Sequence, residues 1–165
     1  MRWASYFILA YLALGIQIGA GEFLRVGGAK PDLVLLAVIY IAINAPREAA
    51  LGGAFGMGLM VDLVGLGPLG LYAFAYGVVA MFVVSMQEVV YREHPMAHLF
   101  IALIASLLVS TIGLVHGWLH PPLLPLGVQF KTALYTAILA PIVLGILQRL
   151  KKGFAFKPRR RLGLT

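Results

Sequence analysis

Cysteine is absent, asparagine occurs once, and only six residues are acidic. The missing cysteine excludes disulfides, thiol nucleophiles, thiolate metal sites and iron–sulfur clusters. Charge of either sign is scarce. Charged residues make up 12% of the 165 and apolar residues 61%, against about 25% and about 45–50% in soluble domains. So few charges cannot cover a water-facing surface of this length, and the mean hydropathy of +0.94 agrees. Most of the outside must face lipid. Paired catalytic carboxylates, a phosphate-cradling glycine loop and a Ser–His–Asp arrangement are also missing, so no catalytic residue or cofactor is assigned and no enzyme is expected.

The charge that is present is concentrated. Six of the 13 basic residues follow Leu150: Lys151, Lys152, Lys157, Arg159, Arg160 and Arg161. A basic cluster directly after a hydrophobic helix marks the cytoplasmic side and attracts anionic lipid headgroups, with Lys151, Lys152, Arg159, Arg160 and Arg161 as the membrane-surface residues. No aromatic-interleaved basic face accompanies the cluster, so the net charge of +7 is not read as nucleic-acid binding. The opening run from Trp3 to Ala20 has 18 residues, more than the roughly 7–15 of a signal-peptide core, and is read as an uncleaved first span.

Six apolar segments follow from the charge, proline and glycine boundaries: 3–20, 33–45, 47–64, 69–87, 97–119 and 128–147. Together they predict an all-α integral membrane protein, a compact bundle of about six transmembrane helices over residues 1–150, with a basic cytoplasmic tail over 151–165. The second segment is short. Between Pro31 and Pro46 a helix rises only about 21 Å, less than the bilayer core of about 30 Å. Such a segment either thins the bilayer locally or sits re-entrant against its neighbours. Six spans with an inside C-terminus put ten basic residues inside and three outside, a bias that places both termini in the cytoplasm, whereas loss of the short second span would put the N-terminus outside. The stretch 120–126, with three prolines, is too proline-rich for a helix and too apolar for free solution; it is expected at the interface or against a partner.

The third segment is the most informative. Gly52 and Gly56 form a GxxxG pair, Ala49 and Gly53 widen the small-residue face, and Gly58 belongs to the same packing set. In lipid such a face lets another helix approach closely. Asp62 lies deep in the apolar run, at the negative end of its helix dipole. It requires donors or a cation, and Arg25, Lys30, His116, His120 and the amides of the 65–70 turn are the candidates; pairing that fixes the third and fourth segments as a hairpin is the favoured role. Asp32, after Pro31 and before Leu33, is placed to cap the second helix. On the fifth segment Ser106, Ser110, Gly113 and Gly117 recur at i, i+4, i+7 and i+11, a second close-packing face. The two HxxxH pairs, His94/His98 and His116/His120, flank one span and cannot share a site, so no metal is assigned.

Three stretches taken in order resemble the MreD family of the bacterial rod-shape system, or elongasome. They are Lys30-Pro31-Asp32-Leu33-Val34-Leu35-Leu36, then Gly52-x-x-x-Gly56-Met57-Gly58-Leu59-Met60-Val61-Asp62, then Gly67-Pro68-Leu69-Gly70-Leu71-Tyr72. The resemblance implies a non-enzymatic inner-membrane scaffold that binds the bitopic protein MreC. Through MreC it implies association with MreB and with the peptidoglycan-synthesising pair, a SEDS polymerase and its transpeptidase. The same resemblance implies an architecture similar to the substrate-binding subunits of energy-coupling-factor vitamin transporters. That likeness supplies the rival reading: a small-molecule-binding membrane subunit, with Asp62 and the outer loops forming its pocket.

Overall fold

The computed structural model describes residues 3–65, 67–86, 95–119 and 126–149. Among them are six helices and no strand: α1 (Trp3–Gly19), α2 (Leu33–Asn44), α3 (Arg47–Val64), α4 (Leu71–Ser85), α5 (Pro95–Leu119) and α6 (Leu126–Arg149). Each helix coincides with one apolar segment, with ends displaced by at most two residues. The chain runs up and down, so α1, α3 and α5 end where α2, α4 and α6 begin.

Hydrophobicity all round a helix means burial all round it, and α2 meets that condition. Every residue from Val34 to Ile43 is buried, and the helix packs against α1, α3, α4, α5 and α6. It is the axis of the bundle. A helix sheathed by its neighbours need not match the bilayer thickness, because protein rather than lipid surrounds it. The short second segment is thus surrounded by other helices along its length.

The other helices present apolar side chains outward. On α6, Phe130, Leu134, Ile138, Ile142 and Ile146 recur every fourth residue and are all exposed; Phe7, Tyr11 and Phe74 extend the girdle over α1 and α4. An apolar surface this extensive exceeds what a water-soluble monomer leaves uncovered. Two helical stretches, Met96–Leu119 and Leu126–Arg149, are long and apolar enough to cross a membrane. Only 28% of each apolar window is buried inside the bundle, so these helices turn most of their surface to the surroundings. α3 differs, since it carries Arg47, Glu48 and Asp62 within 18 residues.

Candidate functional site

Asp62, 3% exposed, sits in the last turn of α3 with its carboxylate turned to the start of α4. The backbone amides of Gly70, Tyr72 and Ala73 donate to it, each at 3.0 Å. A helix N-terminus has amides with no partner within the helix, and its dipole favours negative charge. Asp62 therefore meets at α4 the stabilisation its own helix end withholds. Gly70 adopts φ +98°, which only glycine reaches without strain, and this brings the chain back over the carboxylate. Of the candidate donors, the structure uses the turn amide Gly70 and adds two amides of α4 beyond it. Arg25 and Lys30 pair with Glu22 instead. His120 lies outside the described residues.

Asp32 organises the start of α2. Its Oδ1 accepts from the Leu35 amide at 2.9 Å, the N-cap bond, and the Tyr76 hydroxyl donates to the carboxylate at 2.8 and 2.9 Å. The backbone amide of Asp32 donates to Thr136 Oγ1 on α6 at 3.0 Å, and that of Val34 to Gln17 Oε1 on α1, also at 3.0 Å. A helix end placed inside protein has no water to satisfy its free amides. Here side chains from α1, α4 and α6 supply the acceptors and bonds. Tyr76 stands one turn beyond the amides held by Asp62 and packs edge-on against Tyr72, at 5.7 Å between ring centres. The two aspartates thus fasten α4 to both α3 and α2.

Above Asp32 the bundle opens into a cavity of about 920 Å³. Asp32, Gln17 and Lys30 line one side, with Val61, Leu71 and Tyr72 of the α3–α4 hairpin beside them. α5 contributes Ser106, Ser110, Gly113, His116 and Gly117, and α6 contributes Val128, Gln129 and Thr132. The serine–glycine stripe of α5 forms one wall of this cavity. Asp62 is absent from the lining; its oxygens are engaged by α4. At the rim, a turn with Gly27 at φ +59° and Gly28 at φ +86° carries Lys30 back to Glu22, which also pairs with Arg25. The Lys30 ammonium holds the exposed Glu22 carboxyl below the usual glutamate range. Solvent screening leaves such a clasp little weight in stability.

The glycines of α3 separate into three environments. Gly53 and Gly56 receive Tyr6 of α1, whose hydroxyl donates to the Gly53 carbonyl at 2.7 Å. Gly58 meets α4 backbone to backbone: a Cβ there would lie 2.4 Å from the Tyr72 carbonyl oxygen and 2.5 Å from Ala73 Cα. Gly52 is exposed, with nothing within 4 Å of where its Cβ would be. The pair four residues apart is therefore not one surface. Tyr6→Phe is expected to cost about 1 kcal/mol, read as a fall of roughly 2–4 °C in unfolding temperature. An unchanged transition would show that the hydroxyl bond carries no net stability.

Among the histidines, His98 is buried at the opposite end of the bundle, with its Nε2 3.0 Å from Gln148, while His116 stands at the cavity. His94 lies outside the described residues, as do the 120–125 stretch and the basic residues Lys151, Lys152, Arg159, Arg160 and Arg161. Sequence reasoning missed Tyr6, Gln17, Tyr76 and Thr136. Each is a polar-tipped residue in an apolar helix, and that isolation was the signal available.

An all-helical bundle with an apolar girdle, two of its helices long and apolar enough to cross a membrane, has the character of a helical membrane protein. The particular family is rod shape-determining protein MreD, which matches residues 1–151, all six helices included; the chain belongs to it. The family acts in determining rod shape and is not a known enzyme family. No curated protein and no solved structure is similar enough to match.

Proposed function

We propose that this chain is a multi-pass, non-enzymatic scaffold of the rod-shape complex in the bacterial inner membrane, with both termini cytoplasmic, and that it binds MreC. Through MreC it is coupled to MreB and to the SEDS polymerase with its transpeptidase. The observation that carries the reading is the outward face of α3. Gly52, Phe55, Leu59 and Leu63 are exposed at spacings of three and four, a stripe that a single transmembrane helix fits. Gly52 leaves a notch where two backbones approach, and the larger side chains flank it. The basic tail anchors the complex at the cytoplasmic leaflet.

Gly52→Leu tests this face with little disturbance of the bundle, because among the described residues no atom lies within 4 Å of where its Cβ would be. The expected result is normal insertion and loss of MreC from the purified complex. Retention of MreC would remove this face as the interface. Gly56→Leu is a poorer probe, since a Cβ there lies 2.9 Å from the Tyr6 hydroxyl and the fold itself would shift. The cavity favours a second reading, a small-molecule-binding subunit of the vitamin-transporter type; a bound small molecule in purified chain that never associates with MreC would support it.

A further inference from the structure

The cavity follows α5. Ser106 and Gly117 both line it, and their separation along the helix gives it a length of about 16 Å. Its rim lies where α2, α4 and α6 begin, with Gly28, Gly67 and Pro68 exposed, and its wall reaches inward to the buried Ser106. The volume, about 920 Å³, is at the upper end of small-molecule sites. Val61, Leu71, Val109 and Val128 give it apolar surface from four helices. No atom lies within 4 Å of where a Gly113 Cβ would be, so the middle of the α5 wall is open.

The two formally charged residues in the wall are already satisfied within the chain. Asp32 is bonded by the Leu35 amide and the Tyr76 hydroxyl, with the Gln17 side chain and the Val34 amide also turned to it. The Lys30 ammonium pairs with Glu22. A cation entering the cavity would have to displace the donors of Asp32. An anion would stand near that carboxylate without a counter-ion. Both are costly in a bundle of low dielectric.

The hydroxyls of the wall are not satisfied in this way. Elsewhere Ser85, Thr111 and Thr136 each donate to the carbonyl four residues back on their own helix, the usual outlet for a hydroxyl on an apolar helix. Ser106, Ser110 and Thr132 line the cavity, and their hydroxyls make neither that bond nor another among the described residues. Ser106 is only 3% exposed, yet its Oγ is not sealed off from the cavity it lines. A buried hydroxyl without a partner is costly, and a neutral oxygen answers it without bringing charge into the bundle.

We infer that the cavity binds a small uncharged molecule, elongated and mostly apolar, whose hydroxyl or carbonyl oxygen bonds to Ser106 and Ser110. Val61, Leu71, Val109 and Val128 receive its apolar body. The site requires neither the MreC contact nor a transport role, so its failure would leave the reading of the α3 face intact.

Three probes of one size and shape test it: 4-phenylbutan-1-ol, 4-phenylbutylamine and 4-phenylbutyrate, each added to the full-length chain in lipid nanodiscs during thermal unfolding. The alcohol is expected to raise the unfolding temperature by about 3–5 °C at ten times its Kd, and the amine and the carboxylate to leave it unchanged. Ser106→Ala removes a hydroxyl that the chain itself does not use, and is expected to weaken binding of the alcohol about fivefold. Gly113→Leu fills the open middle of the wall and is expected to abolish the rise. Each variant is measured beside the parent in the same nanodiscs, so that effects of a probe on the bilayer cancel. No rise with the alcohol, an equal rise with all three probes, or an undiminished rise in either variant overturns the inference.

Discussion

Asp62→Ala is expected to lower the unfolding temperature by about 6–12 °C. Three amides, those of Gly70, Tyr72 and Ala73, lose their acceptor at once. Charge-assisted bonds contribute about 1.5–3 kcal/mol each, but they are not additive around one carboxylate, and a loss of roughly 3 kcal/mol follows. The buried position withholds the compensation that water gives an exposed cap. Asp62→Asn retains one carbonyl oxygen and is expected to lose about half as much. Hydrogen exchange separates this cause from general loosening: the amides of residues 70, 72 and 73 should exchange faster in both variants, while those of α2 keep their protection. A transition within 1–2 °C of the parent for Asp62→Ala would refute the cap as the reason for this carboxylate.

Gly58→Ala and Gly52→Ala are expected to have opposite signs although six residues separate them on one helix. At Gly58 the new methyl group would lie 2.4–2.6 Å from backbone atoms of Tyr72 and Ala73. Backbone cannot rotate away as a side chain can, so α4 must move and release the amides held by Asp62. A cost of about 3 kcal/mol is expected, at the upper end for overpacking. At Gly52 the methyl meets nothing within 4 Å, and the greater helix propensity of alanine should add about 0.5–1 kcal/mol. Paired thermal unfolding of the two variants in the same detergent checks both. A neutral Gly58→Ala would show that α3 and α4 are not held at backbone contact.

The two aspartates lie in the three sequence stretches that resemble the family. One contains Asp32 and opens α2; the other two contain Asp62 and the turn it holds. Asp32 was legible as a cap because the grammar of a helix start is local: proline, then a short acceptor, then an apolar run. The partners of Asp62 were legible only in part. Its need for donors follows from its place in an apolar run, whereas the choice of Tyr72 and Ala73 over Arg25, Lys30 or His116 depends on how α4 is set against α3. The cavity was not legible. Ser106, Ser110, Gly113 and Gly117 mark a face of small residues, but the same pattern serves tight packing and open space equally well.

Hydropathy and punctuation in the sequence determined the six helices, their approximate ends and the lipid-facing character of the surface, because each depends on solvation and on backbone groups within a few residues. Tertiary structure decided which helix lies at the centre, which glycine touches backbone, and which acid faces a cavity. α2 is too short to span a bilayer exposed to lipid, yet it is stable as the buried axis of five others. Local sequence encodes a helix's tolerance of apolar surroundings, but only the assembled bundle specifies whether those surroundings are lipid, another backbone or an open space lined by Asp32.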